Sequence, residues 1–221
     1  MPDAAGGDRS DGDRRFFGAV TAGLSHELNN VFATVQELSG LLGDLAEAGE
    51  RGRQPDPQRL KSIAQRIDAQ VDRGQRQTKY LNRFAHSVDR QTGEVDVARI
   101  AEQVLALAGR VARLQQVELR GALPEQPVAA VASPFELYHL LWRCLQVGFA
   151  VVGPGGWVEL SVQARAGGGV ALHVTGSAPA AEVVAPTEHV AALSTVAKAL
   201  GAEPLDLGSP PALPLTVVLP R

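Results

Sequence analysis

Residues 24–45 read LSHELNNVFATVQELSGLLGDL, and their spacing decides the fold. Leu24, Leu28, Val31, Val35, Leu38, Leu42 and Leu45 recur at alternating steps of four and three. That is the heptad seam of a helix packed into a bundle or coiled coil. The seam predicts a helix over residues 14–48, on the order of 50 Å long at ~1.5 Å per residue. The run Gly49-Glu-Arg-Gly-Arg-Gln-Pro-Asp-Pro57 then breaks it with two Gly and two Pro. A second helical pattern follows, carried by Leu60, Ile63, Ile67, Val71, Leu81, Phe84 and Val88. Its middle, residues 72–79, is polar and contains Gly74. Tertiary contacts must hold that part, because the local pattern is weak there. Two long helices across a short break make an antiparallel hairpin. One hairpin leaves an apolar stripe open, and two hairpins close a four-helix bundle. A homodimer is therefore expected.

Residues 1–13 are mostly Gly, Asp and Arg with almost nothing to bury, and are expected to be disordered. The hairpin is expected over 14–92. After Gly93 the texture changes. Residues 97–114 predict a helix, 117–119 and 127–131 short strands, and 135–152 a largely buried helix. Val158, Leu160, Val162 and Ala164 alternate with other residues, as do Val170, Leu172 and Val174. These two strands flank Gly167-Gly-Gly169, a hairpin turn. A helix over 188–200 and a strand over 215–219 complete an α/β layer domain spanning 93–221. The fold expected is thus a helical hairpin that forms a four-helix bundle in the dimer, followed by an α/β sandwich.

Composition narrows the function. Of 221 residues, 45% are hydrophobic and 20% charged, ordinary for a globular protein. The net charge is -3, which argues against nucleic acid, whose binders carry a basic surface. Cys144 is the single cysteine, so no disulfide can form within the chain and a reducing compartment fits. The five histidines show no metal-ligand spacing, and no metal is expected. The longest apolar stretch, residues 144–152, is far short of the ~20 residues of a membrane span. The first residues contain no apolar run of the signal-peptide kind. A cytoplasmic protein without a membrane partner is expected.

His26 lies two positions after Leu24, ~200° around the helix and off the seam, so it should face solvent. Glu27 adjoins it, and Asn30 lies one turn along the same face. An exposed imidazole with a carboxylate beside it is a nucleophile with a base at hand. The alternative is a surface histidine without a role.

The run His26-Glu27-Leu28-Asn29-Asn30, in the first of two long helices before an α/β domain, resembles the H-box of bacterial two-component sensor histidine kinases, particularly the nitrogen-regulation type. The resemblance covers residues 14–221 in architecture and is specific around His26. It implies a dimerisation and phosphoacceptor hairpin followed by an ATPase-like domain. It also implies that His26 carries phosphate, that Glu27 orients and deprotonates the ring, and that Asn30 positions water when phosphate is removed from a response regulator. The receiver domain of such a regulator would be the partner. The second-helix arginines Arg66, Arg73, Arg76 and Arg83 would then complement its acidic pocket, unless they are simply a solvated face.

The family's nucleotide motifs are not matched. The two helix positions where the family has Asn hold Arg143 and Val147. The strand ending at Val174 leads into Thr175-Gly-Ser-Ala-Pro179 rather than an Asp-containing loop. Residues 187–194 follow no Gly-rich lid. From Gly121 to Pro220 the bases are Arg143, Arg165 and Lys198, against seven acids. Degenerate ATP binding and no cofactor are expected. Three functions stay open under the resemblance: a phosphotransfer protein fed by a phosphorylated regulator, a non-catalytic module that docks a regulator or kinase, and an autokinase with a divergent pocket.

Overall fold

The computed structural model describes residues 4–166, 168–177, 185–202 and 213–220, with side chains from residue 11 onward. Two long helices come first, α1 (Ala4–Glu50) and α2 (Pro57–Ala85). The chain forms two compact units. One is Thr21–Arg83; the other joins the chain up to Val20 with the chain from Phe84 onward. These bounds differ from the expected divisions after residues 13 and 92.

In the Thr21–Arg83 unit, the seam sets the packing. Leu24, Val31, Leu38 and Ile63 are buried. Leu28, Val35, Leu42 and Leu45 are only half-buried, and Phe32, Leu60 and Val71 stay exposed. Between the helices Gly52 takes a positive φ of 81°, and its N–H donates to the Gly49 carbonyl at 2.9 Å. The polar middle of α2 remains helical because it fits closely against α1. A Cβ on Gly74 would stand 3.2 Å from Val31 Cγ1, so the glycine permits the approach.

In the second unit, α1 begins at Ala4 rather than near residue 14. Tertiary contacts offset the poor helix propensity of that stretch. Asp13 is hydrogen-bonded to His139, and Phe16 is buried. Phe16 stacks on His139 with centroids 4.4 Å apart and meets Phe84 edge-on at 5.4 Å. Phe84 in turn meets Tyr138 at 5.4 Å. Once these positions are pinned, helix extends cheaply in both directions.

The rest of this unit comprises β1 (Gly93–Asp96), α3 (Val97–Leu114), β2 (Glu118–Ala122), β3 (Ala129–Ala132), α4 (Pro134–Val152), β4 (Trp157–Ala164), β5 (Val170–Gly176), α5 (Thr187–Ala199) and β6 (Leu215–Leu219). β1 pairs antiparallel with β3; the sequence pattern missed β1. The main sheet runs β2-β4-β5-β6, so β2 and β6 are its edges among the described residues. β2 is parallel to β4, and the other pairs are antiparallel. Asp96 caps α3 by accepting from the Arg99 N–H, and Ser133 caps α4 with Pro134 in its first turn. Val158, Leu160, Val162, Val170, Leu172 and Val174 turn one face inward. α3 and α4 pack on the sheet, and α5 packs on α4. Gly148 on α4 allows close packing: a Cβ there would lie 3.0 Å from Val158 Cγ1 and from Val174 Cγ1.

The aromatic cluster gives a direct test. Phe84 has no exposed surface. Phe84→Ala should cost about 3–5 kcal/mol by leaving a cavity among the rings, measured as a lower denaturant midpoint. A loss under ~1 kcal/mol would mean that the rings do not hold this unit together.

Candidate functional site

α1 places the candidate residues by its phase. With Leu24, Val31 and Leu38 turned inward, His26 and Asn30 lie on the exposed side, one turn apart on one helix face. Glu27 is displaced from His26 by ~100° around the axis and is 7% exposed. Its Oε2 accepts from Arg73 Nη2 of α2 at 2.5 Å. His26 is thus presented to solvent, while the carboxylate read as its neighbour engages the second helix. Arg73 is half-buried; Arg66, Arg76 and Arg83 are exposed. The sequence pattern gave no sign of the Glu27–Arg73 pair, whose members lie 46 positions apart.

The α/β unit contains a cavity of about 510 Å³ among α1, α4 and α5. His139 at its wall is 3% exposed. Its Nδ1 lies 3.0 Å from Asp13 Oδ1, and its Nε2 accepts from Arg143 Nε at 3.0 Å. With Nε2 accepting, the ring proton sits on Nδ1 and donates to Asp13. Arg143 Nη1 donates to Gln146 Oε1 at 3.0 Å. Burial pushes the Arg143 guanidinium below its ordinary pKa, and Asp13 pushes back.

These residues do not fit the magnesium triphosphate that the resemblance implies. Asp11, Asp13, Glu136 and Glu188 line the cavity against Arg15 and Arg143, and carboxylates repel phosphate. Val147 is fully buried, and its side chain has no oxygen to offer a magnesium ion. Thr175 sits within β5, paired in register with Glu159, and brings no charge. Ala178 and Pro179 lie outside the described residues. Among the described residues, no group of three or more His, Cys, Asp or Glu side chains could hold a metal ion. No helix among them is long and apolar enough to cross a membrane.

No protein-family model and no curated protein matches the sequence. Among solved structures, the chain is similar to the mycobacterial sensor histidine kinase MprB, with 18% identity over 59% of this chain and 97% of that one and a TM-score of 0.45. It is also similar to a nucleotide-free form of the catalytic domain of histidine kinase ThkA, with 13% identity over 60% and 98% and a TM-score of 0.47. The Acinetobacter baumannii histidine kinase AdeS is similar over 88% of this chain and 97% of that one, at 14% identity and a TM-score of 0.44.

Cys144 offers a contrast to the exposed His26. Its thiol is wholly buried in α4, and burial pushes its pKa up to about 12. A raised thiol pKa leaves the neutral form dominant throughout the neutral range, and only the thiolate attacks. The folded protein should therefore resist a thiol-specific disulfide reagent at pH 8 and react promptly once unfolded in urea. Fast labelling of the folded protein would contradict this burial.

Proposed function

We propose that this chain is a histidine-kinase-like phosphotransfer protein in which His26 accepts phosphate from, and returns it to, the receiver domain of a response regulator, with ATP binding lost. The observation that carries the proposal is an exposed His26 on a hairpin helix, with Asn30 one turn along the same face, inside a run that resembles the H-box. In the forward step one ring nitrogen attacks the phosphorus of an acyl phosphate. The P–O bond to the acyl oxygen breaks, and the carboxylate leaves with the electron pair. The proton on the other ring nitrogen passes to a base, the role proposed for Glu27. Asn30 would orient water when phosphate is lost. Both phosphohistidine and phosphoaspartate are reactive, so transfer in either direction needs no nucleotide.

The cavity chemistry favours this over an autokinase, since Val147 and the lining carboxylates suit no triphosphate. The exposed imidazole favours it over a purely non-catalytic docking module. The half-buried Leu28 and Val35, with Phe32 exposed between them, support a dimer in which two hairpins share a core.

The assay is transfer of label from phosphorylated receiver domains, with radiolabelled ATP as a parallel donor. The wild type should take label from a receiver and not from ATP. His26→Gln should take none and keep its assembly. Glu27→Ala should slow transfer by up to ~10²–10⁴-fold, the usual contribution of a positioned base. Asn30→Ala should mainly slow loss of phosphate to water. If no receiver labels the wild type, or if His26→Gln labels equally, the docking module replaces this proposal. Labelling by ATP would replace it with the autokinase.

Assembly is tested separately. Light scattering at micromolar concentration should give a dimer for the wild type. The double variant Leu28→Asp/Val35→Asp should give monomer or insoluble protein. A well-folded wild-type monomer would refute the shared core.

A further inference from the structure

Arg143 is a half-buried cation whose hydrogen bonds run to neutral groups. Its Nε donates to His139 Nε2 and its Nη1 to Gln146 Oε1. Among the described residues, Nη2 has no hydrogen-bond partner and the guanidinium no ion pair. Asp13 acts on it through space, but Asp13 Oδ1 is engaged by His139. Burial therefore holds the guanidinium below its ordinary pKa, and Asp13 offsets this only in part. A charge withdrawn from water is stabilised by an opposite charge. The described part of the chain leaves this one without a direct counter-ion.

The space for one is the cavity of about 510 Å³ that Arg143 lines, a volume usual for a small-molecule site. Ala191 and Ala192 of α5 line it too, and side chains that short leave the space open. The lining is bipolar. Glu136 and Arg143 share a face of α4 at a spacing of seven residues, about 10 Å apart along the axis. Glu188, in the first turn of α5, is exposed and adds a carboxylate to the wall. A purely anionic ligand meets the excess of acids, and a purely cationic one meets Arg143. A ligand with both charges, held apart by a flexible chain, suits both ends.

We propose that this cavity binds a small linear zwitterion of the lysine class, its carboxylate accepting from Arg143 Nη2 and its terminal ammonium held by the acidic lining, Glu188 foremost. His139 is not a ligand in this scheme. It keeps the guanidinium in place by accepting from Nε, while Asp13 fixes the ring. The proposal uses none of the residues assigned to phosphotransfer.

The test is calorimetric titration of the full chain at low salt with L-lysine. Hexanoate is lysine's chain without either ammonium, and cadaverine is lysine without its carboxylate. L-lysine should give a saturable heat. Hexanoate and cadaverine should each bind at least about tenfold more weakly, having lost a charged contact. Arg143→Gln should weaken lysine by about the same factor and bring cadaverine level with it. Glu188→Gln should weaken lysine and narrow its lead over hexanoate.

No saturable heat with lysine overturns the proposal. So does hexanoate or cadaverine matching lysine, or wild-type affinity in a folded Arg143→Gln. Because Arg143 also braces His139, folding of that variant is checked by circular dichroism. If it does not fold, Glu188→Gln decides, since Glu188 is exposed: unchanged affinity for lysine overturns the proposal, and a loss supports it. No readout here involves His26, so the phosphotransfer proposal stands or falls separately.

Discussion

The phase of α1 is the constraint from which the hairpin follows. Leu24, Val31 and Leu38 recur at seven-residue intervals and are buried to within a few per cent of full cover. A helix turns ~100° per residue, so pinning those three leaves no freedom for the rest. His26 must face outward, Asn30 must follow it one turn on, and Glu27 must lean toward α2. Rotating α1 to bring Glu27 onto the His26 face would expose the seam, at ~25 cal/mol for each Å² of apolar surface returned to water. The exposure of the ring and the burial of the carboxylate are therefore by-products of core packing.

α4 is buried along most of its length, and Gly148 lets it lie against Val158 and Val174. His139 stacks on Phe16, hydrogen-bonds Asp13 and accepts from Arg143. A buried imidazole satisfied at both nitrogens has no capacity left for a ligand. The helix-on-sheet layer is held by apolar side chains and by close fit.

The sequence disclosed elements wherever a local rule governed them. α3 over Val97–Leu114 and β6 over Leu215–Leu219 have the bounds that their patterns indicated. The burial of Leu24, Val31 and Leu38 and the exposure of His26 follow from spacing alone. What escaped was set by partners distant in the chain. β1, Gly93–Asp96, is four residues long and pairs with β3 over thirty residues later. The start of α1 at Ala4 accompanies contacts of Asp13 and Phe16 with α4, more than a hundred residues on. Residues 72–79 read as polar and weak, yet Gly74 there marks a close contact and Arg73 the partner of Glu27.

Among the described residues, the two edges of the main sheet carry a consequence for solubility. An edge strand presents unpaired N–H and C=O groups, a template on which another chain can add. β2 meets this hazard with charge: Glu118 and Arg120 form a two-bond salt bridge across its exposed face, and the guanidinium covers the Trp157 ring at 4.7 Å. β6, Leu-Thr-Val-Val-Leu, is five apolar or β-branched residues with no charge, the composition from which cross-β fibrils grow. Pro214 and Pro220 bracket it, and neither offers an N–H with which a stacking strand could extend its ladder. Such gatekeepers turn strand-by-strand self-association away from this edge.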